Sequence, residues 1–291
     1  MQDPRYADPA WLELMYNTRA AVPDHMEHMQ AWARDSAAVR KALPCHLDVA
    51  YGRREGETLD IFPGEPQRAP VLVFVHGGYW RALDKADHSF IAPGFVASGA
   101  CVVVVNYALC PGTPEQPVSI PFIVRQLEQA LAWLWSNINK HGGDPGNITL
   151  VGHSAGGHLA ALLLASAWPL LLSRLPDVLV RKALSISGLH DLAPIMHTPS
   201  LQQDLRLTEQ QVMRCSPALL PAPPQAHLHC IAGDDESEEF QRQCMLVQQA
   251  WGTHYVPRAQ VLQGLNHFTI LNALADPKSD VHRIALNLLR Y

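Results

Sequence analysis

Ile148-Thr149-Leu150-Val151-Gly152-His153-Ser154-Ala155-Gly156-Gly157-His158-Leu159 is the stretch that decides how this chain is read. Its first four residues are apolar and β-prone, and the residues that follow the serine, through Leu164, read as helix. A strand, a sharp turn and a helix around G-x-S-x-G describe a nucleophile elbow, in which a strained turn raises the serine hydroxyl above a sheet. Gly152 and Gly156 let the chain turn tightly and let the new helix pack close. The pentapeptide alone is equally a Gly/Ser turn. The flanking strand and helix are what give Ser154 a chemical reading.

Outward from the elbow, strand-like and helix-like segments alternate. Val71–Val75 and Cys101–Val105 are continuous apolar runs of the kind a parallel sheet buries on both faces. Ala183–Ile186, Leu228–Ala232 and Gln260–Leu262 read as further strands. Helices are expected over 84–97, 119–140, 155–168, 237–251 and 279–290, with two more over 9–20 and 25–40, the second with Asp24 as N-cap. The stretch 190–226, rich in Pro and His, reads as short helices and loops over the site. The alternation predicts an α/β class, with a mostly parallel doubly wound sheet whose ligands sit beyond the C-terminal strand ends. No repeat and no second-domain boundary is visible, so residues 1–291 are expected to form a single domain.

Composition narrows the function classes. The chain has 291 residues, 48% hydrophobic and 17% charged, enough for one substantial core. A formal net charge of -5 and the absence of Lys/Arg runs argue against a nucleic-acid partner. Met1-Gln2-Asp3-Pro4-Arg5 has no apolar leader, and the most apolar stretch, near 159–172, is interrupted by Ser166 and Pro169. No membrane association and a cytoplasmic location are therefore expected. The six cysteines, at 45, 101, 110, 215, 230 and 244, form no C-x-x-C pair and read as reduced core thiols. His227-Leu228-His229 places two imidazoles on one face of a strand, but no other ligand cluster accompanies them, so no metal is expected.

The strand 71–75 runs directly into His76-Gly77-Gly78-Tyr79-Trp80. In α/β hydrolases an H-G-G loop at this point supplies backbone N–H groups to an oxyanion hole, and glycine is needed because the backbone must approach the developing charge. Gly77, Gly78 and Ala155, the residue after the serine, are the candidate donors. His141-Gly142-Gly143 repeats the triplet after a helix and reads as a C-cap and turn. A serine nucleophile needs a base oriented by an acid, in the chain order Ser, Asp/Glu, His. Of fifteen histidines, His267 alone directly follows the last strand and opens a helix-like stretch. His153 and His158 read as packing residues, and His254 and His282 as structural. The acid is expected just past Leu228–Ala232, where Asp234, Asp235 and Glu236 stand in succession. Ser237 would cap the next helix, and Glu238 and Glu239 suit its positive end. Spacing does not choose among the three acids.

Taken together these residues resemble the kynurenine formamidase (arylformamidase) branch of the α/β-hydrolase fold. The likeness runs along most of the chain: Tyr16-Asn17 with Arg19, Val22-Pro23-Asp24-His25, Glu57-Thr58-Leu59-Asp60-Ile61-Phe62, the H-G-G-Y-W loop, Asp84-Lys85, Val105-Asn106-Tyr107, Cys110-Pro111, the elbow, Ser187-Gly188-Leu189-His190-Asp191-Leu192 and Ser237-Glu238-Glu239-Phe240. In the family pattern the acid immediately precedes Ser-x-Glu-Phe, which implies Glu236 where relatives often carry Asp, with Asp235 the alternative. The resemblance implies hydrolysis of N-formyl-L-kynurenine to L-kynurenine and formate by Ser154, His267 and Glu236, without a cofactor. Tyr79 and Trp80 would wall an aryl pocket or pack in the core beside the first strand. Residues 1–45 are expected to be a helical segment that narrows the site as a partial lid. A carboxylesterase acting on short-chain or aryl esters is the alternative, since a triad fixes acyl transfer and not the acyl group. The expected partner is a small amide or ester, and a homodimer is left open.

Overall fold

The computed structural model describes residues 4–65, 68–171 and 173–291. Met1–Asp3 and Leu172, where the N-terminal reading begins and the apolar run near 159–172 ends, lie outside the described residues. Among the described residues eight strands form one sheet: β1 (His46–Ala50), β2 (Thr58–Phe62), β3 (Ala69–Val75), β4 (Cys101–Val105), β5 (Gly143–His153), β6 (Lys182–Ile186), β7 (His227–Gly233) and β8 (Arg258–Leu262). Their order is β1-β2-β4-β3-β5-β6-β7-β8. β1 and β2 pair antiparallel, and β2 is antiparallel to β4. From β4 to β8 every pairing is parallel.

The chain leaves β3 for β4 on one side and then crosses to β5 on the other. The sheet therefore has its topological switch between β3 and β5, where Val75 pairs with Gly152. The loops leaving two adjacent C-terminal strand ends splay apart there and leave a crevice for a ligand.

Side-chain alternation builds a core on each face of the sheet. Val71, Val73, Val75, Val103 and Val105 point into one core with Ile123, Leu127 and Leu159. Leu72, Phe74, Val102 and Val104 point into the other with Phe95, Ile270, Leu288 and Leu289. The helix Ile120–Asn137 buries Ile123, Leu127, Ala130, Leu131 and Leu134, spaced at helical intervals, in the first core. The helix Asp280–Arg290 does the same in the second through Val281, Ile284, Ala285 and Leu288.

The sheet class and the six parallel strands match the expectation from sequence, and four local differences have physical causes. The segment 84–97 is broken into 3-10 turns at Lys85–Asp87 and Ser89–Ile91 and a short helix, Ala92–Ala97. Pro93 starts that helix; its missing N–H and its ring forbid one continuous helix through the segment. The pattern 9–20 divides at Asn17, whose side chain accepts from the N–H of Ala20, giving Pro9–Tyr16 and Thr18–Ala21. Asp24 stands at the N-cap of His25–Ala42 but makes no capping bond; its carboxylate lies 3.5 Å from His28. β1 and β2 carry too many polar residues to be read as buried strands: β1 is a largely exposed edge, and Asp60 of β2 is buried. The Asp60 carboxylate accepts from the ammonium of Lys85 at 2.7 Å, which also pairs with Asp48. Around His141-Gly142-Gly143 the expectation holds, for Gly142 takes φ +81 at the end of a 3-10 turn before β5 begins.

Candidate active site

Ser154 follows β5 and precedes the helix Ala155–Leu163, with φ 57 and ψ −120. Such backbone costs about 1–3 kcal/mol and persists only where its surroundings hold it. Here the N–H of Ser154 donates to the carbonyl of Ile186 on β6 at 2.8 Å. At Gly156 a Cβ would collide with the backbone carbonyls of Val75 and His76, so glycine is what lets the helix start against the end of β3. The N–H of Ala155, first in its helix, has no intrahelical acceptor and faces outward from the helix start.

The loop after β3 is also held in unusual backbone. Gly78, Tyr79 and Trp80 have φ of 96, 51 and 57. Two neighbours hold it: Tyr107, whose ring stacks on that of His76 at 4.2 Å and whose hydroxyl donates to the carbonyls of His76 and Gly77, and Cys110, whose N–H donates to the carbonyl of Trp80. Gly77 lies so close to the elbow that a Cβ there would sit 3.0 Å from that of Ser154. The loop thus brings its glycine backbone beside the serine, as oxyanion donors must be placed.

Beyond β7 the three consecutive acids separate. Asp234 and Asp235 are exposed, and the Asp234 carboxylate accepts from the N–H of Gly264 at 2.6 Å. Glu236 is buried. Its Oε2 accepts from Nδ1 of His267 at 2.6 Å, and its Oε1 accepts from the Ser187 hydroxyl at 2.6 Å and the N–H of Gly233 at 2.8 Å. With Nδ1–H committed to the carboxylate, Nε2 of His267 is the nitrogen left to take a proton. Ser237 stands at the start of the helix Glu238–Trp251 without capping it; its hydroxyl donates instead to the carbonyl of Met15 at 2.6 Å. Glu239, in the first turn of that helix, is buried and accepts from the Tyr16 hydroxyl at 2.6 Å.

One cavity of about 390 Å³ brings Ser154, His267, Gly78 and Tyr79 together. Trp32, Met29, Leu201 and Phe268 give it apolar wall, and Tyr16, Asn17, Thr18 and Arg19 line it from the N-terminal segment, Tyr16 buried and Asn17 and Arg19 exposed. The Tyr79 hydroxyl donates to the carbonyl of Tyr16 at 2.6 Å, tying the loop after β3 to that segment. Burial raises the pKa of both phenols, so each stays a donor. Trp80 does not line the cavity, and its expected role in an aryl wall is corrected: it is fully buried, edge-on to His158 at 5.0 Å. With left-handed backbone at both residues, the Tyr79 ring lines the cavity while the Trp80 ring, edge-on to it at 6.4 Å, is fully buried.

The other histidines have structural partners. His153 donates from Nε2 to the carbonyl of His267 at 2.9 Å, and burial lowers its pKa well below the ordinary value, so it buttresses the His267 backbone as a neutral ring. His88, His158 and His190 are likewise buried; burial pushes the first two down to about 3 and the third to about 4. Above pH 6.5 these rings are neutral in folded and unfolded chains alike. Below it the unfolded chain takes up protons that the folded chain refuses, so stability falls with pH, by about 1.4 kcal/mol per pH unit for each ring. These three rings alone are expected to remove about 4 kcal/mol between pH 7 and 5.5, readable as a falling urea midpoint. A midpoint that stays level over that range would show that the rings protonate in place.

Three features of the site escaped the sequence reading: Ser187 as a donor to the acid, the aromatic wall of Trp32 and Phe268, and the ion pair of Arg81 with Asp204 at 2.6 Å on the cavity lining. Only Ser187 had a local signal, its place immediately after a strand. Among the described residues no group of three His, Cys, Asp or Glu side chains could hold a metal; His227 and His229 face each other at 3.2 Å, and the His227 ring stacks on Tyr291.

The profile of the BD-FAE family matches residues 59–205. Kynurenine formamidase from Danio rerio is 28% identical over 273 residues, spanning 90% of this chain and 88% of that protein. Esterase LipQ from Mycobacterium tuberculosis (strain ATCC 25618 / H37Rv) is 37% identical over 128 residues, 41% of this chain and 29% of that protein. A solved structure from Silicibacter sp. TM1040, provisionally assigned as a thioesterase, has a TM-score of 0.81 at 29% identity, covering 95% of this chain and 98% of that one. The sheet and its flanking helices are an α/β-hydrolase fold, and no helix among the described residues is long and apolar enough to cross a membrane.

Proposed function

The chain belongs to the BD-FAE family, and from that premise we propose that it is a serine hydrolase that cleaves N-formyl-L-kynurenine to L-kynurenine and formate. The observation that carries this reading is the meeting, in one aromatic-walled cavity, of Ser154 and of a His267 whose Nδ1–H is held by a buried carboxylate. The relatedness to kynurenine formamidase over 90% of the chain supports the choice of acyl group.

In the proposed mechanism Oγ of Ser154 attacks the formyl carbon while Nε2 of His267 takes its proton. Glu236 stabilises the imidazolium that forms. The N–H groups of Ala155 and Gly78, with that of Gly77, hold the oxyanion, a contribution of about 3–4 kcal/mol per donor. As the tetrahedral intermediate collapses, the C–N bond breaks and His267 protonates the departing aryl amine. Water then enters, gives a proton to His267 and attacks the formyl ester; formate leaves and the proton returns to Ser154. An aryl amine leaves more readily than an alkyl amine, so a serine triad is sufficient for this amide.

We read residues 1–291 as one domain in which residues 1–45 cover the crevice, since Tyr16, Arg19, Met29 and Trp32 line the cavity. A cytoplasmic location belongs to the same reading, and six unbridged cysteines suit a reducing compartment. The esterase match favours a second reading, a carboxylesterase for short-chain or aryl esters with the same triad. The test is kcat/KM for N-formyl-L-kynurenine against short p-nitrophenyl esters. The formamide is expected to be the better substrate; a ratio strongly favouring the esters would select the second reading.

A further inference from the structure

The cavity carries a charge that the chemistry at Ser154 does not use. Two arginines and one aspartate are among the residues that line it: Arg19, Arg81 and Asp204. Arg81 is already neutralised, because one of its nitrogens donates to Asp204 at 2.6 Å and to the carbonyl of Ser200 at 2.7 Å. Arg19 has no ion pair among the described residues. Its guanidinium therefore leaves one uncompensated positive charge on the lining, in a chain whose formal charge is -5.

The backbone that carries this guanidinium is fixed by the same loops that carry the site. The Tyr79 hydroxyl holds the carbonyl of Tyr16 at 2.6 Å, the Ser237 hydroxyl holds that of Met15 at 2.6 Å, and Asn17 caps the turn that contains Arg19. Such anchoring places a flexible side chain on a preorganised base, which lowers the cost of using it to bind. Burial divides the lining in two: Ser154, His267, Trp32 and Phe268 are buried, and Arg19 is exposed. A ligand that matches carries its reactive acyl group and an aromatic ring in the buried part and an anion at its exposed end.

We propose that Arg19 binds the α-carboxylate of the substrate and makes the cavity selective for aryl amides with an anionic amino-acid end. A guanidinium suits this role because its planar fork meets a carboxylate with two parallel hydrogen bonds. The inference rests on the formamidase reading and deepens it.

The test compares N-formyl-L-kynurenine with its α-carboxamide, which keeps the scissile aryl formamide and removes the anion. Formate release gives kcat and KM for wild type, Arg19→Gln and Arg19→Lys. Wild type is expected to prefer the acid by about 10-fold or more, the worth of a charge-assisted hydrogen bond. Arg19→Gln is expected to remove about 10-fold of that preference, mainly through a higher KM for the acid, and Arg19→Lys to restore part of it as a point charge. A preference that Arg19→Gln leaves intact, or no preference in wild type, would overturn the proposal. If neither formamide is cleaved while p-nitrophenyl acetate is, in a Ser154-dependent manner, the formamidase reading itself fails and this inference with it.

Discussion

Replacing Ser154 by alanine is expected to lower kcat by about 10⁶-fold, the loss that follows when a catalytic serine is removed from a working triad. The size of the effect comes from the arrangement around it. His267 and Glu236 are ordered by their own hydrogen bond at 2.6 Å, so without the serine they remain in place with nothing to activate. Alanine keeps the Cβ and the φ of 57, and the N–H of residue 154 still reaches the carbonyl of Ile186, so the fold is expected to survive. The measurement is steady-state hydrolysis of the formamide and of a p-nitrophenyl ester, with labelling by a fluorophosphonate and a thermal melt as controls. Both activities and the label should disappear while the melting midpoint stays near that of wild type. Equal labelling of the two proteins would show that the nucleophile lies elsewhere.

The second large effect is expected at Glu236. Glu236→Gln should lower kcat by about 10⁴-fold, the loss found when the triad acid becomes an amide, whereas Asp235→Asn should change it by less than about twofold. In Glu236→Gln the amide oxygen can still accept from Ser187 and Gly233, which turns the amide nitrogen toward His267. An N–H facing Nδ1 forces the proton of the imidazole to Nε2, and a ring protonated there cannot act as base toward the serine. Asp235 is exposed and takes no part in that network. A pH profile of kcat/KM for the two variants checks the assignment. A large loss in Asp235→Asn with little in Glu236→Gln would move the acid by one residue.

Much of this arrangement is legible along the chain because its signals are local. A run such as Cys101–Val105 can only be satisfied between two layers, and the structure buries all five residues. The elbow is similarly local: a strand, a serine between glycines and a helix lie within one continuous stretch, and the backbone at Ser154 is the strained turn that pattern requires. Where a polar residue is buried by a distant partner, the signal fails. Asp60 made β2 look unlike a buried strand, and its compensation is Lys85, on another segment.

The acid illustrates the division within a single turn. Asp234, Asp235 and Glu236 are equivalent in spacing, and the family pattern, not the residues themselves, favoured Glu236. In the fold the turn after β7 leaves the first two in solvent and directs the third to His267, 31 positions away. The loop after β3 behaves the same way: the sequence offered Tyr79 and Trp80 as equals, and successive left-handed residues placed Tyr79 on the cavity and Trp80 in the core.

By itself, then, the sequence determined the α/β class, the parallel strands, the serine elbow and the glycine loop that precedes it in the chain. Each is written in hydrophobic period, β-branching and glycine placement within a few residues. Only the tertiary structure decided which acid meets His267, that Ser187 holds it, and that the N-terminal segment lines the cavity with Trp32 and Arg19. Those contacts join residues separated by tens to hundreds of positions, and their free energy exists only once the sheet has brought its C-terminal strand ends together.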